Sequence, residues 1–474
     1  MDFPDHDKGE KTPLLTSNPK KNPQAPVRTQ AAQQCLAKLL SISLAISFLT
    51  FVCILLYAWP YQSSPSRAPP YRPEKPLIPF PTCPGSKHII THIDKFLNPR
   101  RLLINESITD PNVRSKIHLA RGAETQDADI IVETQIGSQS IHNYNPLQLT
   151  RTENGLLIAS DENQDRDDPL RHPACTQVAI IAYINPRIER MNLLEITTVA
   201  SSIELAHGVK LETDQLMLSS SEKDIAWADA PDCVTGQYAA IHNLQVSTRN
   251  GTIFGNWALD ASMKMNSHSG NIKIDLIPYN WSYGPYTAGN INVKSTSGNI
   301  DIRTPFLLET PSQRKYMTSI RSNTGDITGE IVHGSETNIT TKAGSIEMVM
   351  LPYNVYPDHR SQIRTKSGGR TTLRILVPIK DSYWSSHVMN RTLSRHETGD
   401  GNFWVQYPAE WLGNLRGKTD NGTISLRGSF DDKKDISNSN HTEAISARKG
   451  QGGSDLRFKV GSGNAELIIG TSFG

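Results

Sequence analysis

Apolar and polar residues alternate along much of the chain beyond residue 115, and short glycine phrases punctuate the alternation. In Ser269-Gly-Asn-Ile272-Lys-Ile-Asp-Leu276, the side chains of Ile272, Ile274 and Leu276 point one way and those of Lys273 and Asp275 the other. That is the period-two signature of a strand with one buried face. The phrase returns as Ala288-Gly-Asn-Ile291, Ser297-Gly-Asn-Ile300, Thr324-Gly-Asp-Ile327, Ala343-Gly-Ser-Ile346 and Asn421-Gly-Thr-Ile424; Asn250-Gly-Thr-Ile253 belongs with them, and Asn154-Gly-Leu-Leu157 and the run from Gly463 to Leu467 are weaker copies. A second alternating run precedes several of them, as at Leu244–Thr248 and Met263–Met265. Each unit therefore reads as strand, glycine turn, strand and a connection of variable length. The turn is expected to need positive φ, which glycine adopts without a Cβ penalty.

Successive glycines at 251, 270, 298, 325, 344 and 368 lie 19 to 28 residues apart, the range of one supersecondary unit per repeat. One unit carries only a few inward aliphatics, each contributing about 1.5–3 kcal/mol when buried. Ordering its backbone costs about 1–2 kcal/mol per residue, so a lone unit does not stand. Stacking gives every inward row a neighbour and every strand a hydrogen-bonding partner. The expected fold is mainly β: a β-solenoid or related stacked antiparallel fold from about residue 115 onward, with an irregular β-sandwich as the alternative.

On these phrases the chain resembles the adhesin-like family of domains of unknown function, whose mark is a repeated S-G-[ND]-I-x-[IV] in a β-solenoid. The resemblance is clearest over 244–348, returns at 415–428 and is thin over 85–200. It implies a stacked-coil ectodomain and the fungal-type plan of cytosolic tail, single anchor and ectodomain. In that family the adhesin label rests on shape and location, so it implies no particular ligand.

A run of 21 uncharged residues, Leu39–Trp59, would span roughly 31 Å as a helix, about one bilayer. Tyr57, Trp59 and Tyr61 supply interfacial aromatics. The length, late start and poor cleavage context at Ala58-Trp59-Pro60 favour an uncleaved anchor over a signal peptide. Lys and Arg slightly favour a cytosolic N-terminus, and the N-x-Ser/Thr acceptors Asn105, Asn250, Asn280, Asn338, Asn390, Asn421 and Asn440 all follow the run. The plan expected is a disordered tail (1–37), a transmembrane helix (38–60), a Pro-rich stalk (61–84), the N-terminal part of the ectodomain (85–243) and the solenoid repeats (244–474). This is a type II glycoprotein with its ectodomain lumenal, in the vacuole or endomembranes, or at the cell surface. In the tail, Glu10 with Leu14 and Leu15 resembles an acidic dileucine signal for a clathrin adaptor, and Cys35 is placed for palmitoylation. Beyond the stalk, Cys83, Cys175 and Cys233 allow one disulfide with one cysteine left over, the pairing open.

The 474 residues carry 49 Lys+Arg against 47 Asp+Glu, a net +2, which argues against nucleic acid. Chemical motifs are sparse. Asp127-Ala-Asp129 matches the metal motif of glycosyltransferases but precedes its strand instead of following one. The doublets Asp167-Asp168 and Asp431-Asp432 sit in polar stretches that read as solvated loops, although a polysaccharide lyase or hydrolase would want such a pair. His88 and His92 lack a further ligand in helical register. The Gly413–Thr419 stretch is one residue short of a P-loop, and Gly452-Gly453-Ser-Asp455 occurs once where calcium rolls need tandem copies. The reading is non-enzymatic, without cofactor or metal, in a binding or structural role toward a glycan or protein. A membrane-anchored carbohydrate-active enzyme is the alternative. Tyr279, Trp281, Tyr283 and Tyr286 form a candidate contact loop, with Tyr383-Trp384 and Phe403-Trp404 as weaker versions.

Overall fold

The computed structural model describes residues 80, 82–83, 86, 88–138, 147–160, 175–188, 190–228, 240–278, 288–304, 315–353, 360–378, 389, 391–437 and 442–470, all within the unit Glu74–Gly474. No helix among them is long and apolar enough to cross a membrane; Leu39–Trp59 lies outside the described residues, as does the dileucine stretch. Two long sheets enclose one core, sheet 1 with 15 strands and sheet 2 with 16.

The chain enters through β1 (His88–Phe96), then lays β2 (Arg101–Ser107) in sheet 2 and β3 (Val113–Arg121) in sheet 1. It next passes outward through β4 (Ile130–Ser138) and β5 (Leu147–Thr152) to β6 (Gly155–Ser160) and β7 (Thr176–Ile184). The first rung thus sits inside the second: β2 lies between β6 and the following strand of its sheet, and β3 is flanked likewise, all parallel. Antiparallel β1, β4 and β5 close this end.

From there the chain alternates between the sheets, sheet 2 first in every rung. The rungs are β8 (Met191–Thr198) with β9 (Ser201–Leu205), β10 (Glu212–Ser220) with β11 (Ile225–Trp227), β12 (Ala240–Thr248) with β13 (Ile253–Leu259), β14 (Ser262–Ser267) with β15 (Ile272–Pro278) and β16 (Ala288–Ser295) with β17 (Ile300–Arg303). They continue as β18 (Lys315–Ser322) with β19 (Ile327–His333), β20 (Glu336–Thr341) with β21 (Ile346–Pro352), β22 (Ser361–Ser367) with β23 (Thr371–Ile375) and β24 (Thr392–Thr398) with β25 (Phe403–Tyr407). The fold is the expected β-solenoid, with parallel pairing throughout this stretch.

The far end repeats the device of the first. β26 (Gly413–Asn421) and β27 (Ile424–Gly428) form the outer rung, β28 (Asp432–Ser437) and β29 (Glu443–Lys449) cap it antiparallel in sheet 2, and β30 (Ser454–Ser462) with β31 (Ala465–Ile469) slots back between the outer rung and β24/β25. A parallel stack leaves a row of unpaired backbone groups at each end; antiparallel strands cover that row in both sheets at the first end and in sheet 2 at the far end, where sheet 1 ends on β27.

The glycine phrase divides its labour by position. Its isoleucine stacks in the core: Ile253, Ile272, Ile300, Ile327 and Ile346 are fully buried and in register from rung to rung, and they continue a row begun by Ile117, Ile203 and Ile225 in rungs without the phrase. The Asn or Asp before the isoleucine bridges rungs. Asn271 Oδ1 accepts the Asn299 N–H (2.9 Å), Asn299 Oδ1 that of Asp326 (2.9 Å) and Asp326 Oδ1 that of Ser345 (2.7 Å). Three residues before the glycine, a buried hydroxyl accepts the glycine's own N–H, as Thr248 does for Gly251 (2.9 Å), Ser322 for Gly325 (2.9 Å) and Thr341 for Gly344 (3.1 Å). The expectation of positive φ fails for Gly251, Gly270, Gly298, Gly325, Gly344 and Gly368, none of which has it. Their reason is contact: a Cβ on Gly298 would stand 2.0 Å from the Gly270 carbonyl oxygen, and one on Gly325 2.2 Å from that of Gly298. Positive φ occurs in the C-terminal copies, at Gly422 (149°) and Gly463 (141°).

Cys83 and Cys175 form the disulfide, across a separation of 92 residues, and the Cys83 N–H donates to Gln177 Oε1 (3.0 Å). Cys233 lies outside the described residues.

Candidate functional site

Because the inward rows build the core, chemistry is confined to the outward rows, the turns and the connections. On sheet 2 the outward row of β10, β12, β14, β16 and β18 places Ser219, Ser247, Asn266, Lys294 and Arg321 side by side, with Lys264, Asn292 and Ser319 in the next column. These residues floor an open groove of about 830 Å³, whose edge adds Arg249, His268 and Thr296. Its cations are Arg249, Lys264, Lys294 and Arg321, and no carboxylate lines it. Ser247 Oγ donates to Ser219 Oγ (3.1 Å). Such a surface offers donors to hydroxyl, carbonyl or anionic oxygen. The groove was not legible in the sequence because its residues come from five rungs joined by connections of unequal length.

A second cluster lies on sheet 1 near the N-terminal end. Lys116 Nζ is 3.0 Å from Glu204 Oε2, both side chains essentially unexposed, and His118 Nδ1 is 3.7 Å from Glu204 Oε1. Phe80 covers them, with its ring centroid 4.3 Å from the Lys116 ammonium and 5.4 Å from the His118 ring. Burial, reinforced by the Lys116 charge and opposed by Glu204, lowers His118 to about 4. Burial likewise lowers Lys116, against the pull of its hydrogen bond to Glu204. This ion pair lies beneath Phe80, three residues before Cys83.

The sequence candidates fall elsewhere. Asp127 pairs with Lys95 (2.5 Å) and the Asp129 carboxylate accepts the Asn98 N–H (2.5 Å), so Asp127-Ala-Asp129 is a turn fixed by local contacts. His88 and His92 lie on edge strand β1, not on a helix. Gly413–Thr419 falls within strand β26, Asp431 accepts the Gly450 N–H (2.7 Å) and Asp432 pairs with Lys434 (3.7 Å). Among the described residues no group of three His, Cys, Asp or Glu is placed to hold a metal ion. Phe403 is core, stacked on Phe458 at 5.2 Å. Tyr279, Trp281, Tyr283 and Tyr286, like Tyr383-Trp384 and Asp167-Asp168, lie outside the described residues. Of the glycan acceptors, Asn105, Asn250 and Asn421 are exposed and Asn338 is half-buried; Asn280, Asn390 and Asn440 lie outside the described residues.

No protein-family model matches the chain, and no curated protein does. Solved structures similar to it include a candidate adhesin from Bacteroides fragilis NCTC 9343, at 12% identity and a TM-score of 0.31, covering 62% of this chain and 99% of that one. Another is a candidate adhesin from Parabacteroides distasonis ATCC 8503, at 7% identity and a TM-score of 0.26, covering 81% and 98%.

Proposed function

We propose that the chain is a single-pass, type II membrane glycoprotein anchored by Leu39–Trp59, whose adhesin-like solenoid ectodomain binds a glycan or protein ligand on the outer face of sheet 2 without transforming it. The observation that carries the reading is the groove over β10 to β18, lined by hydroxyls, amides and four cations. A carbohydrate-active enzyme would instead gather two carboxylates, or a carboxylate with a base, at the place where a sugar bond lies. The Cys83–Cys175 disulfide supports an oxidising compartment for the ectodomain, and the exposed Asn105, Asn250 and Asn421 support glycan attachment there. The Leu14-Leu15 pair would direct the protein through clathrin adaptors toward endosomes or the vacuole.

Two measurements test this. In microsomes, a C-terminal tag on the full chain is expected to resist protease until detergent is added, and the chain to shift in mobility on deglycosylation; digestion of the tag without detergent overturns the topology. On a glycan array, the full chain is expected to retain ligands that the Lys264→Ala/Lys294→Ala/Arg321→Ala variant loses at least tenfold, leaving the glycans uncleaved. Cleaved glycans, or retention indifferent to the three substitutions, overturn the binding reading.

A further inference from the structure

Beyond the groove, the outward row of sheet 2 continues through β22, β24, β30 and β26. There the register aligns Arg364 with Arg395, Arg395 with Arg457 and Arg457 with Arg416. Four arginines therefore stand in one column on four adjacent strands, about 4.8 Å apart along a line of about 14 Å. All four are exposed. The parallel column reads Lys366, Glu397, Lys459 and Lys418.

Neutralisation is incomplete. Lys366 pairs with Glu397 (2.8 Å), Lys418 and Lys459 share Asp420 (3.1 and 3.5 Å), and Arg457 pairs with Asp455 (2.7 Å). Arg364 donates to the neutral Gln362 (2.9 Å), and among the described residues no carboxylate pairs with Arg364, Arg395 or Arg416. Like charges directly opposite each other on neighbouring strands destabilise a sheet, so a column of this kind is at its most stable with anions laid along it.

We infer that this arginine column binds a linear acidic polysaccharide, one carrying a carboxylate or sulfate at regular intervals along its chain. The guanidinium fork matches such oxyanions bidentately, and a straight row of forks matches a repeating anion better than a single one. Single-stranded nucleic acid would call for aromatic stacking platforms beside the cations; the neighbouring outward positions are instead Gln362, Leu393, Asp455 and Asn414. Toward the groove the column meets Asn338, Ser319 and Asn292, amides and a hydroxyl suited to sugar hydroxyls. The inference rests on the binding role proposed above and adds the ligand class.

The test uses the full chain in detergent micelles, with polygalacturonate and dextran sulfate as acidic probes, neutral dextran as the uncharged one and an oligo-dT as the nucleic acid. Polygalacturonate or dextran sulfate is expected to bind in low salt and to weaken as salt is raised. The Arg364→Gln/Arg395→Gln/Arg416→Gln variant should bind at least tenfold more weakly. Its lysine counterpart should regain only part of the affinity, since it restores charge without the fork. A control with Arg303→Gln/Arg374→Gln/Arg427→Gln on sheet 1 should stay within twofold of wild type. Circular dichroism melts of both variants check that the solenoid is intact. Equal losses in the two variants, or oligo-dT binding as tightly as the polysaccharides, overturn the column. Neutral glycans held on the groove while both acidic polymers are ignored overturn the column alone. Failure of every glycan overturns the binding role with it.

Discussion

The two outer faces of the solenoid are laid on the same rungs, yet they treat charge in opposite ways. On sheet 1, Lys273 lies beside Asp301, and Arg303 lies between Asp275 and Glu330, so signs alternate from strand to strand. Arg303 also pairs with Asp301 (3.0 Å), Arg370 with Glu347 (3.5 Å) and Arg427 with Glu466 (3.0 Å). On sheet 2 the same stacking sets arginine on arginine from β22 to β26. The stack requires only its inward rows, which in both sheets are mainly apolar with buried hydroxyls and histidines among them. The outward rows are left free by the fold, and it is there that the two sheets differ in charge.

The strongest way to break this comparison is to find an outward position that the fold cannot spare. Glu204 is one, because Phe80 and its segment turn that part of sheet 1 into interior. Glu204→Ala would strip this carboxylate from the buried Lys116 ammonium and should cost about 3–5 kcal/mol. Asp301→Ala, which breaks an exposed pair on the same sheet, should cost less than about 1 kcal/mol. Urea unfolding of the two variants, side by side, checks the contrast. Similar losses would show that outward position alone, without burial, sets the cost.

A shift in pH separates the shared interior from both faces. Buried histidines do not behave as free ones, because desolvation disfavours their charged form. Burial lowers His333 to about 4 and His396 to about 3; the latter bonds Thr365 Oγ1 (2.8 Å) and Tyr407 Oη (3.1 Å). Since the folded values lie below the usual 6.5, the unfolded chain binds protons first as pH falls. Stability is therefore full above about pH 7 and declines through the window from 6.5 toward 4 for His333 and toward 3 for His396, by about 2 kcal/mol for each histidine at pH 5. His118 adds a loss of the same sign. Thermal melts at pH 7 and pH 5 measure the drop, and His396→Gln should make it smaller; an unchanged drop would assign it elsewhere.

How much of this was legible depended on the range of the interaction. Ile272, Ile274 and Leu276 announced a one-sided strand because alternation is local, and repetition of the phrase announced stacking. The glycines stand out in the sequence but their cause does not, since the carbonyl that excludes a Cβ at Gly298 belongs to Gly270, a whole rung away. The arginine column was invisible for a related reason. Arg395 and Arg457 are strand neighbours across 62 residues, and Arg416, which precedes Arg457 in sequence, lies beyond it in space because the last rung turns back. Nothing in residue spacing marks that reversal, nor the choice of Cys175 over Cys233 as the partner of Cys83.

The smallest expected effect is also the sharpest, because its sign differs between the faces. Removing one charge from a column of like charges relieves repulsion, so Arg395→Gln should stabilise the ligand-free protein by about 0.2–1 kcal/mol at low salt. Arg303→Gln, which removes a cation set among Asp275, Asp301 and Glu330, should destabilise it by a similar few tenths. In 1 M salt the screening length falls to about 3 Å and both effects should shrink toward zero. The measurement is the unfolding midpoint of the two variants and the wild type at 20 mM and 1 M sodium chloride. If Arg395→Gln destabilises at low salt, the column is neutralised within the protein itself, and the two faces do not differ in the way their registers imply.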